Sequence, residues 1–264
     1  MLLFGNFSLS ALSAVIIVLF FGMGLHEFGH AFAADWWGDP TPRKNGKLTL
    51  NPLAHINLEG WIWIMLIGFG TAGSVAYNPY NLRDRRWGSF WVSIAGPLMN
   101  LLQAIVFGLL FRFFGNVIAV AYVLNGQQEV WALGQLGINP VIGYISLFLY
   151  VGLWFNALLF IFNLIPLFPL DGYRAMLSLL PGSFLNGKQI PGFIHEALPP
   201  LARFLQYPAY AWKEWQQATM YVFFGLIMLS FLAISINLPQ LNLLGYIIHG
   251  PTSQLMQLIS GIGA

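Results

Sequence analysis

The chain contains no cysteine and very little charge. Without cysteine there is no disulfide, no thiolate nucleophile and no Cys-type zinc site. Asp, Glu, Lys and Arg together make up 8% of the 264 residues, where a soluble globular domain carries about 25%. The net charge of +2 is too small a basic excess to suggest a nucleic-acid partner. No Lys or Arg precedes Arg43. The positive leader of a secretory signal is therefore missing, although Ala31–Phe32–Ala33 resembles a cleavage site. What fills the chain is apolar: 58% hydrophobic residues and a mean hydropathy of +0.70. There is no internal repeat or low-complexity linker, and the length suits one domain.

Four stretches are long and apolar enough to cross a hydrocarbon core of ~30 Å. They are roughly residues 9–34, 88–113, 141–165 and 218–237. A fifth, 60–76, is short and Gly-rich. A sixth, 241–261, is interrupted by Gly250–Pro251 and Ser253, and is expected to lie on the membrane or cross it imperfectly. Trp36, Trp37, Trp87, Trp91, Trp212 and Trp215 fall near segment ends, as interfacial belts do. The expected fold class is an all-α polytopic membrane protein with about four to six transmembrane helices.

Loop charge sets the direction. Residues 35–59 carry Arg43, Lys44 and Lys47; residues 77–87 carry Arg83, Arg85 and Arg86; residues 171–216 carry Arg174, Lys188, Arg203 and Lys213. The 114–140 stretch has no Lys or Arg. The positive-inside rule puts the first three in the cytoplasm and the last outside. Segment 60–76 then starts and ends on one side, so it must be re-entrant or interfacial, which is permitted where it packs within protein or lines a cavity.

Chemistry enters with His26–Glu27–Phe28–Gly29–His30, directly after Leu9–Leu25, seventeen residues without an ionisable side chain. Residues four apart share one helix face. Two imidazoles so placed can grip one Zn²⁺, with Glu27 beside them as a base. A charged side chain at a helix centre costs ~2.5–3.5 kcal/mol even on a lenient scale, so Glu27 needs a partner. A catalytic zinc commonly takes three protein ligands and leaves one position open. The candidates for the third are His55, His195, His249 and the carboxylates, and Asp171 stands out. It follows Pro166 and Pro169, which break regular helix, at the end of the third span. With 60–76 re-entrant, Asp171 and His30 fall on the same side. His55 is read as a loop brace, and His195 and His249 as interfacial.

These motifs resemble the site-2 protease family, the intramembrane zinc metalloproteases. His26–His30 matches the family's HExxH, and Asn163–Gly172 its NxxPxxPxDG motif. Leu50–Ile56 resembles the LNPLxHID stretch of compact bacterial members, and Ala95–Asn100 their AGPxxN stretch. The likeness runs from about residue 20 to 175. One departure is His55–Ile56–Asn57–Leu58–Glu59–Gly60 in place of HIDPLG. Another is that the chain begins with the HExxH helix, and no room is seen for a PDZ or CBS domain.

The resemblance implies a zinc endopeptidase with His26, His30 and Asp171 as ligands and Glu27 as general base. It also implies that Asn163 holds the substrate strand or stabilises the oxyanion, with Asn100 a weaker candidate. The expected substrate is a transmembrane protein, and the expected setting a bacterial cell membrane with the site toward the cytoplasm. Residues 1–264 are read as one membrane-embedded domain: a catalytic core of about 8–180 and an interfacial, helical region of 181–264. The rival readings are a non-catalytic scaffold that binds membrane helices, and an ion or proton pathway.

Overall fold

The computed structural model describes residues 8–57, 60, 75–179 and 209–261, the side chains of 209–214 excepted. All the regular structure among them is helical. Helix α1 (Leu9–Trp36) begins at Ser8, whose side chain accepts from the Ala11 N–H at 3.1 Å. A second cap comes from far along the chain. Glu129 accepts the N–H of Leu9 at 2.6 Å, the N–H of Ser10 at 3.0 Å, and the Ser10 hydroxyl. First-turn N–H groups have no partner within a helix, and a carboxylate there also meets the positive end of the helix dipole.

Helix α2 (Arg85–Phe114) is capped by Asp84, and α3 (Val117–Asn125) by Asn116. Asn139 caps α4 (Pro140–Asn163), where proline takes the first turn and loses no helical hydrogen bond. Then come α5 (Asp171–Leu179), α6 (Ala209–Ser235) and α7 (Leu243–Ser260). Helices α1, α2 and α4 pack on one another; α5 lies on α2, α7 on α4 and α2, and α6 on α7.

Four helices are long and apolar enough to cross a membrane: Leu9–Trp36, Arg85–Phe114, Pro140–Asn163 and Trp215–Ser235. They coincide with the four spans read from hydropathy. The 114–140 stretch is more ordered than a bare loop. It folds into α3 and a 3-10 segment, Val130–Leu136, which with α4 bury Ala11, Ala14, Val15, Val18 and Leu19 of α1. The interruption expected at Gly250–Pro251 does not break α7, which runs through both residues.

Most of the 60–76 segment lies outside the described residues, but its flanks do not. The Arg83 N–H donates to the Trp37 carbonyl at 2.9 Å, so the chain leaving α1 and the chain entering α2 meet at one end of the bundle. Asp39, wholly buried, fastens this junction. It accepts from the Thr41 N–H and hydroxyl, the Asn78 N–H and the Asn81 side-chain amide. Burial alone would raise the Asp39 carboxyl; these donors hold it below its ordinary value. Residues 182–208, within the stretch expected on the cytoplasmic surface, lie outside the described residues.

Candidate metal centre

Regular α-helix places His26 and His30 one turn apart, and the structure turns both rings inward, 3% and 9% exposed. Helix α2 makes room for them. A Cβ on Gly96 would lie 2.7 Å from His26 Nε2 and closer still to His30 Nε2, so only glycine fits at the foot of the pair. The same crossing is tight at Gly29, where a Cβ would come within 2.7 Å of the Ala95 carbonyl oxygen.

Asp171 arrives from the far end of the sequence. The α4 helix ends at Asn163, and turns over 164–170 lead to α5, whose first residue is Asp171. Its Oδ2 lies 3.1 Å from His26 Nε2 and 3.3 Å from His30 Nε2, and the two Nε2 atoms are 3.1 Å apart. Ligand atoms on a tetrahedral zinc with bonds of about 2.0–2.2 Å stand roughly 3.3–3.6 Å from one another. The triangle is therefore close to one face of such a tetrahedron. Two imidazole nitrogens and one carboxylate oxygen are a borderline-soft donor set that suits zinc and leaves a fourth position.

The outward-facing ring nitrogens are also occupied. His30 Nδ1 lies 2.7 Å from the Val92 carbonyl oxygen, which can only accept, so Nδ1 carries a proton, and in the neutral ring that binds a metal Nε2 is the nitrogen with the lone pair. His26 Nδ1 lies 2.6 Å from Asn100 Oδ1. Such partners fix both the ring and its tautomer.

Glu27, 6% exposed, is adjacent to His26 and accepts the Val75 N–H at 3.2 Å on Oε2. Sequence reasoning left Glu27 without a partner; a backbone amide at the C-terminal end of the 60–76 segment supplies one. Asn163 sits at the end of α4, half-buried, and donates its amide to the Leu159 carbonyl at 2.9 Å. His55 is buried and donates from Nε2 to the Thr49 carbonyl at 3.0 Å, bracing the 49–55 turn. His249 lines a separate cavity between α4, α6 and α7, and His195 lies outside the described residues. Sequence reasoning missed Val92, Val75 and Asn156. The first two act through the backbone and leave no residue-type signal. Asn156 left one: it is the only amide between Val141 and Phe162.

Residues 14–198 match Peptidase family M50. Over 175 residues the chain is 36% identical to "Putative zinc metalloprotease YwhC" of Bacillus subtilis, covering 66% of this chain and 73% of that protein. It is 32% identical over 158 residues to "Putative zinc metalloprotease Rip2" of Mycolicibacterium smegmatis, covering 58% of this chain and 51% of the relative. The Mycobacterium tuberculosis H37Rv protein of the same name is 30% identical over 162 residues. No solved structure matches. Zinc is the metal these names carry, and the cluster of His26, His30 and Asp171 could hold it. The family match takes in the histidine pair and the distant aspartate together, and on it the chain belongs to Peptidase family M50.

Proposed function

We propose that this chain is an intramembrane zinc metalloendopeptidase that cuts membrane-spanning proteins, with zinc held by His26, His30 and Asp171. One observation carries this: two buried imidazoles and a partly buried carboxylate, from two distant stretches of sequence, meet within about 3 Å among apolar helices, with Glu27 beside them. Zinc, when bound there, polarises the scissile carbonyl and makes water a stronger acid. Glu27 takes the proton from the attacking water and returns it to the leaving amine. The Val75 N–H holds the Glu27 carboxylate in place for both transfers. Asn163 binds the substrate strand or the developing oxyanion. Either task needs an amide donor, and only one of the two Nδ2 hydrogens is engaged, by the Leu159 carbonyl.

The substrate presents an unwound stretch, because a regular transmembrane helix keeps its carbonyls bonded and buried from attack. The chain works as one membrane-embedded domain, with a core of about 8–180, in a bacterial cell membrane. Its partners are a transmembrane protein and lipid, not nucleic acid. Loop charge supports a site that opens toward the cytoplasm. The test is Glu27→Gln, assayed on a substrate with a helix-breaking transmembrane segment. Cleavage is expected to fall by about 10²–10⁴-fold with zinc retained; unchanged cleavage would remove Glu27 as the base.

A further inference from the structure

His26 is tied to the protein backbone through two intervening side chains, and each link fixes the direction of the next. The Gly152 carbonyl can only accept, so the contact at 2.8 Å makes Asn156 Nδ2 the donor. That turns Asn156 Oδ1 toward Asn100, whose Nδ2 donates to it at 3.0 Å. Asn100 Oδ1 is then the atom that faces His26 Nδ1 at 2.6 Å, and only an N–H can meet it. In the neutral His26 ring the proton is therefore on Nδ1, and Nε2 presents its lone pair on the side of His30 and Asp171. Asn100 and Asn156 are 0% and 1% exposed, so both amides are shielded from bulk solvent.

We propose that Asn100 and Asn156 are positioning residues. They form an amide relay that carries the polarity of the Gly152 carbonyl from α4 through α2 to α1, and holds His26 as the Nδ1–H tautomer. This rests on the zinc reading above. The contrast with His30 is informative. His30 takes the same tautomer from a carbonyl directly, at Val92, and no side-chain substitution can remove that partner. His26 depends on two replaceable amides. The relay also makes the aim of a metal ligand on α1 sensitive to the placement of α4, the helix that leads into Asp171.

The experiment uses the full chain purified in detergent. Zinc affinity is measured by competition with a chelator, and the His26 tautomer by ¹⁵N NMR of labelled histidines, assigned by loss of its signal in His26→Ala. Circular dichroism and melting report the fold. Asn100→Leu is expected to weaken zinc binding by about 10–100-fold and to shift His26 toward the Nε2–H tautomer. Asn156→Leu leaves Asn100 free to turn, and is expected to weaken zinc by roughly up to tenfold, as a milder loss of an outer partner. Asn100→Asp keeps an acceptor for Nδ1–H, and is expected to retain the parent tautomer and to bind zinc more tightly than Asn100→Leu. Should Asn100→Leu fail to fold, Asn156→Leu and Asn100→Asp read the same tautomer. Folded variants with parental zinc affinity and an unchanged His26 tautomer would overturn the relay. A parent chain without zinc would instead overturn the metal reading, while its ¹⁵N spectrum still reports on the relay.

Discussion

Helices α1 and α6 are both long and apolar, yet the protein uses them in opposite ways. Half of the spanning window of α1 is buried against other helices, but only 17% of that of α6. Tyr221, Val222, Phe224, Met228, Phe231 and Ile234 of α6 are all at least half exposed. Buried polar groups without a partner occur on α5 and the 49–55 turn as well as on α6 and α7, but the amides and imidazoles around the metal centre are paired. In the α1–α2–α4 core, His26, His30, Asn100 and Asn156 are buried and each has a partner. On the α6–α7 side, Ser230 Oγ and Thr252 Oγ1 are buried with no hydrogen-bond partner among the described residues and line a cavity of about 330 Å³. A polar group inside a membrane is affordable only where protein supplies its hydrogen bonds, so the chemistry sits where helices cover one another. Among the described residues, the α6–α7 flank contributes no ligand to the metal cluster.

One substitution made in both regions separates them most widely. Gly96→Ala drives a methyl group into both imidazoles, so zinc content and cleavage should fall to background, measured by metal analysis and substrate digestion. Gly225→Ala, on α6, meets nothing within 4 Å. Helix propensity alone should then act, raising stability by roughly 0.5–1 kcal/mol in a detergent melt with zinc and cleavage unchanged. Equal effects at the two positions would erase the distinction.

The far end of α1 offers a milder test. Burial raises the Glu129 carboxyl, but the hydrogen bonds from Ser10 and Leu9 outweigh it and hold the group below its ordinary value of 4.5. A carboxylate lowered by folding contributes stability that is fully present above the unfolded value and is lost as pH falls through the folded one. The melting temperature of the parent should therefore drop more steeply from pH 5 to pH 3 than that of Glu129→Gln. Parallel curves would show that the cap contributes nothing through its charge.

The smallest effect is expected at Thr252. Thr252→Val replaces a buried hydroxyl that has no partner among the described residues with a methyl group of similar size. Stability should rise, by up to about 1 kcal/mol, because a desolvation cost disappears. A loss of stability would mean that the hydroxyl is satisfied.

These contrasts also show what the sequence could disclose. The spans were legible because hydropathy accumulates over some 20 residues in each. His26, Glu27 and His30 were legible because a helix converts a spacing of four into a shared face, and Asp171 because the prolines before it end the helix in front of it. The meeting of Asp171 with the histidines is a contact between distant segments, which no local pattern encodes. Nor does any pattern encode the partners of Glu27 and His30, since both are backbone groups. Asn156 was discoverable: an amide in the middle of an apolar span demands a partner, and Asn100 was already in view. The order in 114–140 was partly legible too. Asn116 and Gly126 bracket an apolar run too short to span a membrane but long enough for two helical turns.

The central claim is that His26, His30 and Asp171 surround a single zinc. X-ray absorption at the zinc edge, joined to metal analysis of the detergent-purified chain, tests it most directly. Stoichiometric zinc with two imidazole nitrogens and oxygen donors at about 2.0–2.2 Å is the predicted result, with the imidazole signal and the metal lost together in His26→Ala. Zinc absent from a folded parent chain, or present with no imidazole in its shell, would contradict the account.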